Sequence, residues 1–499
     1  MNRRDLLARL LAGGGVPLLA PWAAQAQAPA DWQAQFEASS APWKSAFATV
    51  PADLPWTAAS VRGRFPDAVS GTLYRIGPAG HDLGGERYHH WFDGDGMAHR
   101  FVIDGNTVHH QGRYVATAKR LAEVQAGRRL TEGFGTVFQG RDEPSSPDSM
   151  NAANISVLPV GGDLLALWEG GSATRLDPRT LETRGLKTWR ADLAGAPFSA
   201  HPRVDADGTI WNFGAHPHAG VLLLYEIGPD GVLRRAEALP VSDMPMVHDF
   251  VATARHLVFL LPPLVYDAQR RSAGASVLDS YVWRPALGMR VLVVDKTDWK
   301  QQQVLLLPSG FLFHLGNAWD EETASGTVIH LDYARSADAS SVLKDTREVM
   351  RARLVGAPGP VLTVVSLHLR TGKATQADLG VEAEFPRIHP QRAGLRHRHV
   401  LHATKTNGGL PLWSAVASTN VETGVSQSYR HGTQAIVEEH VWVPDGRGPG
   451  WVIGTHLDYA QKNTVLSCFA ADALADGPVA QARLSYALPL GLHGVFVAA

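Results

Sequence analysis

The sequence predicts an all-β fold: a propeller of about seven four-stranded blades, with long loops and few helices. Three observations point there. From Gly71 onward, short β-prone runs follow one another with little helical periodicity between them. Turn signals separate the runs, among them Gly161-Gly162-Asp163, Asp207-Gly208, Asp230-Gly231 and Asp445-Gly446. The meander extends over about 430 residues, too long for one sandwich, and closed β architectures run long as single units. No repeat of the WD or kelch kind is visible.

The N-terminus comes before this meander. Asn2-Arg3-Arg4-Asp5-Leu6-Leu7 places paired arginines ahead of an apolar, Gly-rich run through Leu19. Ala24-Gln25-Ala26, or alternatively Ala26-Gln27-Ala28, then offers a small-residue cleavage site. Residues 1–28 therefore read as a twin-arginine-type signal peptide, with export to the periplasm as the expected outcome. Ala8 and Asn2 depart from the usual twin-arginine pattern, so an ordinary secretory signal is the alternative. The run is too short and too interrupted by Gly and Pro for a transmembrane helix.

Residues 29–60, with Trp32, Trp43 and Trp56, read as a lead-in containing a helix or an extended wrap. Residues 61–499 form the propeller. Its expected strands include Gly71–Ile76, Ile155–Pro159, Leu164–Trp168, Thr209–Phe213, Val221–Ile227, His256–Leu261, Met289–Asp295, Val361–Leu369, Pro449–Leu457 and Val465–Phe469. Helical spacing is best at Ala118–Gly127 and Val342–Arg353. The longer Pro-bearing loops, Gly140–Met150 and Pro262–Pro285, are expected to gather on one face, where a rigid scaffold carries a substrate chamber.

The 499 residues carry a net charge of −2, with 45% hydrophobic and 19% charged residues, which describes a globular chain with a large core. Without a dense Lys/Arg run there is no electrostatic footprint for nucleic acid. The single cysteine, Cys468, forms no internal disulfide and reads as a small buried apolar residue. Any metal site must use nitrogen or oxygen ligands.

Four of the 22 histidines stand in apolar or small-residue segments with no charged residue directly before them. They are His201 in Phe198-Ser199-Ala200-His201-Pro202, His248 in Met246-Val247-His248-Asp249-Phe250, His314 in Phe313-His314-Leu315, and His493 in Leu492-His493-Gly494. Their spacings are 47, 66 and 179 residues. Inner strands of different propeller blades converge on one axis, so residues this far apart can meet. Taken singly, each is more readily read as a satisfied core histidine. The paired histidines His89-His90, His109-His110, His216/His218 and His397/His399 lack the i, i+4 helical spacing of a metal site, and alternation on a strand parts neighbours. Most of them read as surface or loop residues.

Three carboxylates border apolar strands: Glu169 after Leu164–Trp168, Glu384 before Phe385-Pro386-Arg387, and Glu439 before His440-Val441-Trp442. Each is either a solvated strand end or a partner that accepts the ring N–H of a ligating imidazole and fixes its tautomer.

Together these segments resemble the carotenoid cleavage oxygenases, non-haem iron enzymes built on a seven-bladed propeller. The resemblance is carried by Gly71-Thr72-Leu73-Tyr74-Arg75, by His90-Trp91-Phe92-Asp93-Gly94-Asp95-Gly96-Met97, by Leu167-Trp168-Glu169-Gly170-Gly171, and by Ala200-His201-Pro202. Met246 to Phe250, Phe313-His314 with Asn317-Ala318, Glu384 to Arg387 and Leu492-His493-Gly494 follow in the family's order. Ile76 and Trp319 depart from it, at places where the family commonly has Asn and Tyr, and neither belongs to the implied ligand set.

The resemblance implies one Fe(II) per chain at the propeller axis, ligated by His201, His248, His314 and His493 under a cap of loops and helices. Glu169, Glu384 and Glu439 are implied as the carboxylates behind the imidazoles, with Glu438 competing for the last place. Four imidazoles leave two of six octahedral positions open, and O2 is the co-substrate. The implied reaction cleaves one conjugated C=C bond of a carotenoid or apocarotenoid into two carbonyl products.

Phe92, Phe134, Phe138, Trp319 and Phe385 are candidate chamber walls. The stretch Leu257–Val265 is either a buried strand, which is the favoured reading, or an apolar patch for peripheral membrane contact. The alternative substrate is a hydroxylated stilbene. Family members of that type use a Tyr and a Lys on the phenol; here Tyr114 is the possible Tyr, and residues 120–186 contain no lysine. A non-catalytic, ligand-binding propeller is the reading from another class. The sequence carries no indication of oligomeric state.

Overall fold

Seven antiparallel sheets of four or five strands close into a ring in the computed structural model. It describes residues 31–141, 143–356, 358–405, 412–446 and 448–499. The signal peptide expected over 1–28 lies outside them.

The ring is sealed twice. The last strand of the chain, His493–Ala498, is the inner strand of the first blade and pairs with Gly71–Gly80, setting Ile76 directly across from His493. Asp95–Asp104, Thr107–Tyr114 and Leu54–Ala58 complete that blade outward. Ser60–Gly63 forms the outer strand of the seventh blade, after Ala435–Val443, Trp451–Asp458, Asn463–Ala470 and Ala480–Arg483. The lead-in expected over 29–60 is thus partly propeller: Leu54–Ala58 joins the first blade, and the lead-in's last residue, Ser60, opens the outer strand of the seventh. Pairing both termini into neighbouring blades leaves no gap in the ring.

Strands with continuous apolar runs match their expected bounds, as in Val221–Ile227, His256–Leu261 and Met289–Asp295. Leu257–Leu261 is a buried strand, and Leu264 and Val265 are buried too, so the favoured reading holds there and no apolar patch is exposed. The longest strand, Phe311–Thr323, is hard to read in sequence. Its register shifts twice against Gly326–Ser336, between Leu312 and Leu315 and again between Leu315 and Ala318, and this breaks the period of two.

Ala118–Ala126 is a helix, capped by the Thr117 side chain and stopped by Gly127 at φ 63°. The helix expected over Val342–Arg353 is present as one unbroken helical stretch of varying pitch: Ser341–Asp345 is π-helical, Thr346–Glu348 α-helical and Val349–Arg351 3-10 helical. The Thr346 hydroxyl bonds the carbonyl of Val342 at 2.9 Å and that of Ser341 at 3.2 Å, competing with the backbone ladder. Pro262–Pro285 folds as a small hairpin, Leu264–Tyr266 with Tyr281–Trp283, around the helix Ala268–Ser272. Leu264, Leu278, Tyr281, Phe311 and Val342 pack in one apolar cluster with Phe134 at its edge, forming a cap. The other long loop, Gly140–Met150, ends in a turn that packs on the helix Ala118–Ala126.

Three of the paired histidines are core residues rather than surface ones. His90 and His110 are fully buried, and His397 is buried against Asp332 at 2.8 Å. His109, His216 and His89 are half-buried; His218 and His399 are exposed. Cys468 is buried, and burial pushes its thiol up to about 12.

Candidate metal centre

Each of the four expected histidines stands on or beside the inner strand of a different blade. His201 precedes Arg203–Val204, His248 precedes Val251–Ala252, His314 lies in Phe311–Thr323 and His493 opens His493–Ala498. Their nearest ring nitrogens all lie within 4.8 Å of one another, a set that could hold a metal ion. The Nε2 atoms of His201 and His248 are 2.9 Å apart. Two unprotonated nitrogens at that distance oppose lone pair to lone pair, an arrangement a shared cation relieves. His314 Nε2 is buried and has no hydrogen-bond partner. The donor set is thus chemically complete for an imidazole-only metal.

Behind three of the rings stand the three expected carboxylates. His248 Nδ1 donates to Glu169 at 2.9 Å, His314 Nδ1 to Glu384 at 2.7 Å, and His493 Nδ1 to Glu439 at 2.8 Å. A proton fixed on Nδ1 leaves the Nε2 lone pair facing the centre. Among the described residues, no carboxylate stands behind His201 in this way. Glu438, the competitor, is engaged elsewhere: it takes Arg75 at 2.6 Å, the Gly491 N–H at 2.6 Å and the Thr455 hydroxyl.

Irregular backbone makes these placements possible. The inner strands shift register between Glu384 and Arg387 and between Val437 and His440, so adjacent residues need not point to opposite faces. Phe385 sits at φ 54°, a region costly for a non-glycine residue. There its N–H donates to Glu384 at 2.8 Å, and its ring lies 5.2 Å from that of His314 and 5.4 Å from that of His493.

Electrostatics separate the four rings. Burial, with the neighbouring imidazoles adding to it, holds His201 well below the ordinary histidine range. Burial takes His493 down to about 4 against the opposing pull of Glu439. Burial also opposes charge on His248, but Glu169 outweighs it and the net shift is upward. Glu439 loses solvation by burial, yet Arg387, at 2.7 and 2.9 Å, brings it down to about 2.

The family model of the retinal pigment epithelial membrane protein matches residues 47–498. The chain belongs to this family, that of the carotenoid cleavage oxygenases. It is 28% identical over 492 residues to the apocarotenoid-15,15'-oxygenase of Synechocystis sp., covering 91% of this chain and 95% of that protein. It is 27% identical to a lignostilbene-α,β-dioxygenase of Sphingomonas paucimobilis, over 87% of this chain and 92% of that one. Among solved structures, a single-site variant of the Synechocystis apocarotenoid oxygenase superposes with a TM-score of 0.82 at 25% identity, covering 92% and 99% of the two chains.

As a carotenoid cleavage oxygenase fold, the propeller encloses two spaces at the four histidines. One is an axial channel walled by inner strands, with Arg203, Asp249, Asn317 and Arg387 along it. The other is a chamber under the cap with about 1210 Å³ of empty space, counting its open mouth. Phe92 and Phe385 line it, as expected. Phe134 packs on His90 in the cap, Phe138 on Tyr88 and His89, and Trp319 stacks on His330, so these three are not walls.

Sequence reasoning missed Phe47, Trp91, Phe313 and Trp413, which also face the chamber. Trp91 was within reach, since it stands inside His90-Trp91-Phe92-Asp93-Gly94-Asp95-Gly96-Met97, one of the strings that carry the resemblance. That string is held rigidly: Asp93 accepts the Gly135 N–H and the Thr136 hydroxyl, and a Cβ on Gly96 would lie 2.0 Å from the Ala153 carbonyl oxygen. Tyr114 does not line the chamber; its hydroxyl meets the carbonyls of Val50 and Ala79 at 2.6 and 2.8 Å.

Proposed function

We propose that this chain is a non-haem iron dioxygenase that cleaves one conjugated C=C bond of an apocarotenoid or carotenoid. One O2 is consumed and each carbon of the broken bond takes one oxygen atom, giving two carbonyl products. One observation carries the reading: four imidazoles meet, three of them backed by carboxylates, and those three, His248, His314 and His493, line a mostly apolar chamber. Relatives named as apocarotenoid and carotenoid oxygenases support it.

Fe(II), one per chain, is the ion this set suits, and when bound it supplies the activation of O2. The residues do the rest. His201, His248, His314 and His493 present Nε2 lone pairs to one point. Glu169, Glu384 and Glu439 hold three of those rings in tautomer and orientation and bring negative charge to a site with no anionic ligand. Phe92, Phe313, Phe385 and Trp413 exclude water and align a flat conjugated chain.

Export by the leader at residues 1–28 completes the proposal, with the periplasm as destination. Any peripheral contact with an apolar phase falls to exposed side chains such as Leu121 and Val124 rather than to the buried stretch 257–265.

The test loads anaerobically purified protein with Fe(II) and offers it an apocarotenal and a 4-hydroxystilbene under 18O2. Labelled carbonyl fragments of the apocarotenal are expected. Cleavage of the stilbene alone moves the substrate class to stilbenes. Failure to retain iron, with no effect of His248→Ala, sinks the oxygenase reading and leaves a ligand-binding propeller.

A further inference from the structure

The chamber is not apolar throughout. Ser336, Ser341, Asp345, Thr346 and Lys405 form part of its wall. Aromatic rings part the 341–346 turns from the histidines. Phe313 lies 5.2 Å from His248, Phe92 lies 5.7 Å from Phe313, and His90 lies 5.0 Å from Phe92. His90 Nε2 in turn is 3.0 Å from the Val342 carbonyl oxygen. The polar end therefore stands beyond an aromatic belt, where the remote end of a long, flat substrate would arrive.

Most polar groups at this end have partners. The Thr346 hydroxyl is engaged by backbone carbonyls and by His90. Lys405 stands 3.6 Å from Glu382. Two atoms are left over: Ser341 Oγ and Asp345 Oδ1 are buried and make no hydrogen bond. Buried polar atoms are nearly always satisfied, so two orphans four residues apart on one helical stretch, both on residues of the chamber wall, call for an external partner. The Asp345 carboxyl is raised above its usual range, first by burial and against the pull of Lys344 and Lys405.

A carboxylate only accepts hydrogen bonds, so its partner must donate. Aldehyde and ketone oxygens cannot donate and would suit Lys405 instead. A hydroxyl group donates to Asp345 and can exchange a second bond with Ser341. We propose that Asp345 and Ser341 form a subsite for a hydroxyl group at the end of the substrate remote from the scissile bond. This rests on the function proposed above and narrows it to hydroxylated conjugated substrates.

The experiment uses two apocarotenals that differ only in a hydroxyl on the terminal ring. Binding to iron-free protein is read by quenching of tryptophan fluorescence, since Trp91 and Trp413 line the chamber, and cleavage is read separately on the Fe(II) enzyme. Wild type is expected to bind the hydroxylated compound about tenfold tighter or more, as a hydrogen bond to a charged group provides. Asp345→Ala erases that preference, Asp345→Asn keeps part of it, and Ser341→Ala reduces it. Equal affinities in wild type, or a preference that survives Asp345→Ala, overturn the subsite. A preference lost only in Lys405→Met places the hydroxyl on Lys405 rather than on Asp345 and Ser341 and overturns it equally. Hydroxyl-dependent binding without cleavage of either compound upholds the subsite and sinks the oxygenase reading. Binding of neither sinks both.

Discussion

Arg203 grips Asp249 with one nitrogen, Nη2, 2.8 Å from each carboxylate oxygen, and the pair ties together three histidine-bearing segments. Arg203 stands two residues after His201, and Asp249 directly follows His248. Asp249 also accepts the N–H of Leu315, the residue after His314, at 2.7 Å, and that of Phe250 at 2.7 Å. Arg203 donates in addition to the carbonyls of Phe250, Leu315 and Gly316 at 2.7, 2.9 and 3.1 Å. One ion pair thus fixes the relative height of His201, His248 and His314 along the propeller axis.

Removing one member should leave the other charge without its partner. The Asp249 side chain is 1% exposed and that of Arg203 is 23% exposed, so desolvation is substantial. Asp249→Asn or Arg203→Met is expected to cost about 3–5 kcal/mol of stability, the range for breaking a buried pair. Denaturant unfolding of metal-free protein measures this. The double variant Arg203→Met/Asp249→Leu should recover part of the stability but not the affinity for Co(II) followed by its visible absorption. Full recovery of both would show that the pair has no positioning role.

The carboxylates behind the rings predict a graded loss. Glu169→Gln and Glu384→Gln should each lower metal affinity by about 10–100-fold while the fold persists, as for other groups that orient metal-binding histidines. Glu439→Gln should be the most damaging, because it also strips Arg387 of its bidentate partner and Gly494 N–H of its acceptor. Metal content after dialysis against a chelator ranks the three. An unchanged ranking of metal content among wild type and variants would contradict the assignment.

Much of this was legible in the sequence, and the parts that were not share a cause. The propeller announced itself through apolar runs such as Val221–Ile227, bounded by turn residues and needing no tertiary information. The four histidines and three carboxylates could be named because ordered segments resemble a known family, not because spacing alone selects them. Glu438 and Glu439 could not be separated, since a register shift beside them suspends the alternation that would have decided. Phe313 and Trp413 were missed for a similar reason: a chamber wall is assembled from several blades and the cap, and single-strand patterns do not encode which apolar faces surround a void. Ile76, which is no part of the ligand set, pairs with His493 across the first blade.

Tyr114 bears on the substrate. Its hydroxyl is committed to the Val50 and Ala79 carbonyls, outside the chamber wall. Tyr114→Phe is therefore expected to lower stability by about 1 kcal/mol, the usual net worth of one hydrogen bond. The ratio of rates on a phenolic and a non-phenolic stilbene should stay as in wild type. A selective loss on the phenol, in parallel steady-state assays, would place Tyr114 at the substrate after all.

Acid should loosen the junction between the sixth and seventh blades. His431, His440 and His456 gather there beside Tyr429 and Phe469, with the rings of His431 and His456 centred 3.9 Å apart and those of His431 and His440 6.0 Å apart. Three ring nitrogens, His431 Nε2, His440 Nε2 and His456 Nδ1, are buried without a partner. Burial is the main cause that takes His440 to about 4 and His456 to about 3, and it holds His431 well below the ordinary range. Arg483 and His440 push His456 further down, while Glu439 pulls His440 up slightly. In the unfolded chain the same groups titrate near about 6.5. Between those values the unfolded state binds more protons than the folded one, so stability rises with pH across this window. The contribution is fully present above about pH 6.5 and is lost progressively as pH falls toward about 3. His456→Phe replaces one of the groups with a ring that cannot take a proton. The pH dependence of unfolding free energy, measured on metal-free protein by denaturant titration, should be shallower in this variant than in wild type across the window. Parallel curves would mean that His456 titrates alike in both states and carries none of the acid sensitivity.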